Sequence, residues 1–200
     1  MDKGQFLFTA IAPIYGRFFN YQIDMYKRLI KSAPELFSPE VPMDIVDVGC
    51  GTGALAAVLS DMGHQLTGVD GSWKMIDIAV RKTKNQDINF IVSNATKKIP
   101  LEDKSFDMAI TSFVAHGFKK EDRLKLYSEM ERLSKKYIVI SDYNKKRALL
   151  TSIAEFLESG DYFNFIKEVE EELKNRFGNL KVINNGRLSA FYVIDLESRQ

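Results

Sequence analysis

Apolar and polar positions along this chain switch between two periods. From Met43 onward, short apolar runs alternate with longer stretches whose apolar residues recur every three or four positions, the pattern of strands alternating with helices. The runs predict strands at Asp44–Val48, Gln65–Asp70, Ile88–Ser93, Asp107–Ser112 and Tyr137–Asp142. The almost wholly apolar Ala54–Met62 predicts a helix buried on a sheet, with Gly63 as its C-cap. Ser72 is a fitting N-cap for a helix from Trp73 to about Thr83, on which Ile76, Ala79, Val80 and Thr83 share a face. A helix at Glu121–Leu133 presents Leu126, Met130 and Leu133 on one side. Helical pieces at Arg147–Glu158 and Tyr162–Phe177 follow, divided by Ser159-Gly160-Asp161. In the second, Tyr162, Ile166, Val169, Leu173 and Phe177 form the buried stripe, Gly178 stops it, and the acidic run Glu168–Glu172 reads as a solvated face. Leu180–Ile183 and Leu188–Leu196 flank Asn184-Asn185-Gly186, a hairpin signal, so five βα-type strands lead into an antiparallel pair.

Ahead of this alternation, residues 1–40 hold eight of the 23 aromatic side chains. Phe19, Ile23, Tyr26 and Ile30 recur at helical spacing, and Pro34, Pro39 and Pro42 break the chain before the first strand. This segment is either a helix packed on the domain flank or a cap in which Phe8, Tyr15 and Phe18 form part of a lid.

Composition removes several function classes. Among 200 residues, 28 Lys plus Arg stand against 27 Asp plus Glu, for a net charge of +1, without the basic excess of a phosphate-gripping protein. Short clusters such as Lys145-Lys146-Arg147 read as a helix-start surface or a weak anion site. The single cysteine, Cys50, allows neither an intramolecular disulfide nor a Cys-based zinc site. Neither a signal-peptide layout nor an apolar run near the ~18 residues of a membrane span occurs, so a reduced, cytoplasmic setting is expected.

The chemistry concentrates at Ile45–Gly53, IVDVGCGTG, where a strand ends in Asp47 and glycines follow at 49, 51 and 53. A strand, a glycine turn and a helix N-terminus bring backbone N–H groups close to a ligand. Gly49, Gly51 and Ala54, with Asp70 about 20 residues on, also describe a dinucleotide fingerprint. Spacing alone leaves the two ligand classes open.

The neighbouring residues carry a resemblance. Asp47-Val48-Gly49-Cys50-Gly51-Thr52-Gly53 resembles the D-x-G-x-G-x-G signature of the class I S-adenosylmethionine (SAM)-dependent methyltransferases, with Cys50 a small residue inside the turn. Asp70-x-Ser72-x-x-Met75-x-x-x-Ala79 is similar to the stretch after that family's second strand. Asn94-Ala95, Ile99-Pro100 and Ser105-Phe106-Asp107 follow in the family's order, and His116 matches the first of a His pair often found after strand four. The resemblance covers about residues 43–142. It implies an α/β, Rossmann-like doubly wound sheet of seven strands in the order 3-2-1-4-5-7-6, with SAM across the C-terminal ends of the first four. It implies that Gly49, Gly51 and Gly53 admit the amino-acid part of SAM, with Asp47 near its ammonium. Asp70 would take the ribose hydroxyls, Gly71 and Met75 would lie near adenine, and Ser112 and Phe113 would line the floor below the methyl group. The whole chain then reads as one methyltransferase domain, with a cap at 1–40, a SAM-binding core at 43–142, helices at 145–178 and a hairpin at 180–196.

Two positions depart from the pattern. Asn94 stands where Asp is common; its carbonyl oxygen can still accept from the adenine amino group, or it is a turn residue without ligand contact. Gly117 replaces the second His, leaving His116 as a general base, a packing residue or a wall of the substrate pocket. His64 reads as a surface residue in a helix-to-strand turn. Tyr143 follows strand five, where substrate-facing residues sit, though an aromatic there also serves as packing. The expected function is methyl transfer from SAM to a small-molecule acceptor covered by Tyr15, His116 and Tyr143, yielding S-adenosylhomocysteine, with no metal. Rivals are an NAD-dependent oxidoreductase, a non-catalytic SAM-binding protein and a nucleic-acid methyltransferase. Ser112-Phe113-Val114-Ala115 lacks the N/D-P-P-Y/F/W signature typical of the amino-methylating members of the last class. Acceptor identity and oligomeric state lie beyond the sequence.

Overall fold

The computed structural model describes residues 16–144 and 161–198. Its strands are β1 (Asp44–Val48), β2 (Gln65–Asp70), β3 (Ile88–Val92), β4 (Phe106–Ser112), β5 (Ser134–Tyr143), β6 (Lys181–Asn184) and β7 (Ser189–Asp195). They form one sheet in the order β3-β2-β1-β4-β5-β7-β6. β1 to β5 pair in parallel, and β7 inserts antiparallel between β5 and β6. The topology expected from the resemblance is the one observed.

Helices α1 (Phe19–Ile30), α2 (Ala54–Asp61), α3 (Trp73–Lys82), α4 (Lys120–Leu133) and α5 (Tyr162–Phe177) cover the sheet. The central strands are apolar on both faces because both are roofed. Ile45, Met108, Ile110 and Val139 pack beneath α1 and α2, whereas Val46, Ala109, Ile138 and Ile140 face α4 and α5. Successive strand residues thus feed opposite cores. Gln86 bridges the Ala57 carbonyl and Asp61 from the loop after α3, which ties α2 to that edge.

Three sequence expectations are corrected. Val80 is half exposed, and α3 buries Met75 and Ile78 beside Ile76 and Ala79, so its inward face is rotated away from Val80. His64 is buried, not a surface residue, because the 32–43 linker folds over it and the Met43 N–H donates to its Nδ1 at 3.2 Å. Glu172 is no solvated residue; it is buried against Arg123, whose Nε and Nη2 donate to its two oxygens at 3.2 and 3.1 Å. Phe18 of the lid trio is exposed. Phe8, Tyr15, the Lys145-Lys146-Arg147 cluster and the Arg147–Glu158 helix lie outside the described residues.

Candidate active site

The turn from Gly49 to Gly53 is bolted to β2 by two N–H groups, those of Gly49 and Cys50, which donate to the Val69 carbonyl at 2.7 and 3.0 Å. Gly49 has φ +82°, and a Cβ there would stand 2.6 Å from Val114 Cγ2. The turn therefore touches the loop after β4, and a side chain would push the two apart. Gly51, at φ +54°, has nothing within 4 Å of its would-be Cβ, so its backbone faces open space. Its N–H donates to Asp70 Oδ2 at 2.9 Å, and the Ser72 N–H donates to Oδ1 at 2.8 Å. Burial raises the Asp70 pKa, partly offset by these two donors. Each oxygen keeps acceptor capacity on the ligand side.

Ser72 also caps α3, accepting from the Met75 N–H at 3.4 Å, which seats buried Met75 beside the half-exposed Gly71. Across β3, Asn94 Oδ1 accepts from both the N–H and the hydroxyl of Thr96, each at 2.8 Å. The oxygen that sequence reasoning assigned to adenine is thus closed on its own loop, an Asx turn that also holds Ala95. Cys50 is buried, and burial keeps its thiol far from the ionised form a nucleophile needs.

Asp47 is 1% exposed, and neither carboxylate oxygen has a hydrogen-bond partner. Burial, with the nearby Asp70 charge, pushes its pKa up to about 8. α1 lies over this spot, fastened by the Thr52 hydroxyl, which donates to Gln22 Oε1 at 2.9 Å.

On the other side of the turn, β4 ends at Ser112, and Phe113 adopts φ +53°, an uncommon conformation for a bulky residue. A short 3-10 turn, Ala115–Gly117, then carries His116 over the end of β5. His116 Nδ1 lies 2.8 Å from Asp142 Oδ1, and Asp142 is fully buried. Aromatic rings wall this pair: Tyr143 at 4.9 Å from the imidazole, Phe113 and Tyr162 at 5.4 and 5.1 Å from Tyr143, all between ring centres. Arg123 holds the last of these rings in position, since its Nη1 donates to Asp161 Oδ2 at the start of α5 and to the Phe118 carbonyl ahead of α4, both at 2.7 Å.

The structure therefore brings together Asp47, the glycine turn, Asp70, Gly71, Met75, Ser112, Phe113, His116 and Tyr143 at the C-terminal ends of the parallel strands; Asn94 and Ala95 border the same rim. Sequence reasoning missed Asp142 and Arg123. A carboxylate two residues after the apolar run Ile138-Val139-Ile140 was the available signal for Asp142. Among the described residues, no three His, Cys, Asp or Glu side chains cluster as a metal site, and no helix is long and apolar enough to cross a membrane. An open cleft of about 880 Å³ at the other end of β5, between Leu36, Tyr137 and Ile183, has no buried titratable group in its walls.

Comparison with known proteins agrees with this geometry. Residues 46–139 match the methyltransferase domain family. An uncharacterized methyltransferase of Staphylococcus carnosus is 24% identical over 90% of this chain and 87% of its own length. A bovine 18S rRNA (guanine-N(7))-methyltransferase is 31% identical over 54% of the chain, and a demethylmenaquinone methyltransferase of Tropheryma whipplei is 30% identical over 54%. The chain spans only 38% and 45% of those two relatives. In fold, it matches a SAM-dependent methyltransferase structure from Methanococcus maripaludis with a TM-score of 0.71 at 16% identity, covering 94% of this chain and 93% of that one. It also matches magnesium protoporphyrin IX methyltransferase from Synechocystis with bound S-adenosylhomocysteine, with a TM-score of 0.62 at 16% identity, covering 88% and 85%. The glycine turn, the strand order and these matches agree: over residues 46–139 the chain is similar to the methyltransferase domain family, and SAM-dependent methyltransferase structures share its fold.

Proposed function

We propose that this protein methylates an O–H or N–H group on a small, flat, uncharged acceptor, with the His116–Asp142 pair taking the proton. The pair itself carries the reading: a buried imidazole held at 2.8 Å by a buried carboxylate, beside an aromatic wall and next to the glycine turn. The donor side suits SAM. Asp47, buried without a partner, matches a cationic ammonium, and Gly51 leaves open the approach that a Cβ would narrow. In this reading Gly49, Cys50, Gly51 and Gly53 border the amino-acid part, Asp70 accepts from the ribose hydroxyls, and Gly71, Met75, Asn94 and Ala95 border adenine. Ser112 and Phe113 form the floor. SAM supplies an electrophilic methyl on a sulfonium, which needs no protein nucleophile.

The protein's part is then to orient the acceptor and remove its proton. Asp142, 2.8 Å from Nδ1, orients the imidazole and stabilises the imidazolium that forms when it takes the acceptor's proton. Phe113 and Tyr143, backed by buried Tyr162, offer flat faces to an aromatic acceptor and no positive charge to a polyanion. A net charge of +1 points the same way, away from RNA.

The test is transfer of tritiated methyl from SAM to a panel of phenols, catechols and aromatic amines, with folded rRNA in parallel. Transfer to a panel member that falls about 100-fold or more in His116→Asn, while S-adenosylhomocysteine binding holds, supports the reading. Transfer to the rRNA alone, or an undiminished rate in the variant, overturns it.

A further inference from the structure

Strand alternation sets three oxygen-bearing side chains in a row on one face of the sheet. Ile45, Met108, Ile110 and Val139 lie in the core layer beneath α1 and α2. Asp47, Ser112 and Ser141 follow them at two-residue spacing and so point to the same side. Ser112 and Ser141 are register partners of β4 and β5, and Asp47 pairs with Ile110, one same-face position before Ser112. All three residues are more than nine-tenths buried. Both carboxylate oxygens of Asp47 and the Ser141 hydroxyl have no hydrogen-bond partner, and the Ser112 hydroxyl has only that of Tyr26 beside it. Buried polar groups are ordinarily paired, so this row of oxygens points to a ligand that brings donors.

α1 supplies a fifth oxygen. Tyr26, one helical turn after Gln22 and on the same face, is buried with its hydroxyl turned to Ser112 and with Asp47, Cys50 and Asp142 in electrostatic range. A wall of oxygens that includes one carboxylate matches a group with several N–H donors, no acceptor and positive charge. A primary ammonium has three such donors. Neither an adenine amino group nor a nicotinamide dinucleotide carries one.

We propose that Tyr26, Ser112 and Ser141 join Asp47 in a cage for the primary ammonium at the amino-acid end of the methyl donor. α1 is thereby part of the donor site as well as of the core, and its Tyr26 makes the site selective for a donor that keeps this amine. The inference rests on the donor reading given above.

Calorimetric titration of wild type, Tyr26→Phe, Ser112→Ala and Ser141→Ala tests it with three probes. These are S-adenosylhomocysteine, its decarboxylated analogue, which keeps the amine, and 5′-methylthioadenosine, which lacks the whole amino-acid end. The expected result is about tenfold weaker binding of the first two in Tyr26→Phe and Ser141→Ala, with methylthioadenosine unchanged within twofold; Ser112→Ala, which also lines the floor, should weaken the first two more than methylthioadenosine. Equal weakening of all three probes, or none, overturns the cage. Loss confined to S-adenosylhomocysteine would mean that these residues read the carboxylate, which overturns the ammonium assignment. Should Tyr26→Phe lose its cooperative thermal transition, the two serine variants decide. A wild-type protein that binds none of the probes sinks the donor reading itself, and the cage with it.

Discussion

His116 and Asp142 stand 26 residues apart in sequence, yet their Nδ1 and Oδ1 atoms lie 2.8 Å apart at the ends of neighbouring strands. The same carboxylate accepts the backbone N–H of His116 at 3.3 Å and that of Tyr143 at 2.8 Å. Asp142 is thus fixed by backbone on two sides and in turn orients the imidazole. The proton transfer proposed for His116 depends on this pairing.

Asp142→Asn keeps the size of the side chain but removes the charge that steadies an imidazolium. We expect kcat/KM for methyl transfer to fall about 100-fold. Binding of S-adenosylhomocysteine should stay within about twofold, because the donor cradle is built from other residues. Isothermal titration alongside single-turnover rates checks this. A variant that loses donor affinity as much as rate would show Asp142 to be structural only.

Much of this architecture was legible in the sequence because periodicity and glycine positions act locally. Strand Gln65–Asp70, the Ser72 cap and helix Tyr162–Phe177 each follow from residues within a few positions of themselves. What stayed hidden was set by pairing at a distance. Glu172 belongs to an acidic run that looks solvated until Arg123 arrives from another helix, and His64 looks exposed until the linker covers it. Tyr26 read as one rung of an apolar stripe; only the packing of α1 over β1 and β4 turns its hydroxyl toward Ser112. Asn94 was open to two readings in the sequence, an adenine acceptor or a turn residue, and the turn contact to Thr96 is the one its Oδ1 makes here.

Arg123 is fully buried and shares its guanidinium between Asp161 and Glu172. Arg123→Ala leaves the Glu172 carboxylate buried and uncompensated, and should cost about 3 kcal/mol or more in urea unfolding. The double variant Arg123→Met, Glu172→Leu should recover most of that loss, since it removes both buried charges. α5 also carries Tyr162, so the single variant should raise the acceptor KM more than it changes donor binding. A single-variant cost below about 1 kcal/mol would mean the pair is solvated and does not fix α5.

His64 predicts an acid sensitivity unrelated to catalysis. Burial lowers its pKa, and its Nδ1 must stay unprotonated to accept the Met43 N–H. Above about pH 6.5 both folded and unfolded chains hold it neutral. Below that, the unfolded chain takes up a proton that the fold refuses, so stability falls as pH drops, by up to about 1.4 kcal/mol per unit, until the folded pKa is reached. His64→Gln retains an acceptor for Met43 and lacks the titration. The difference in urea midpoint between pH 7 and pH 5.5 should shrink in that variant, and an unchanged difference would assign the slope to other groups.

Asp47 couples the donor site to pH in the opposite sense. Without a ligand, burial and the Asp70 charge hold its pKa at about 8, so the folded protein keeps this carboxyl mostly protonated at neutral pH. The unfolded chain, with an ordinary carboxyl near 3.9, is ionised there. Stability from this group is therefore greatest below about pH 3.9 and is lost as pH rises through 8. An arriving ammonium reverses the preference by stabilising the carboxylate, so binding must expel the proton. Affinity for S-adenosylhomocysteine should rise by up to tenfold per pH unit between about 6 and 8, then level off. At pH 7, titrations in buffers of different ionisation enthalpy should count about one proton released per ligand bound. Asp47→Asn should abolish both effects while raising the ligand-free thermal midpoint at pH 8, because it deletes the acid whose ionisation the fold opposes. Affinity that is flat with pH, with no proton released, would show that Asp47 is already ionised and paired before the donor arrives.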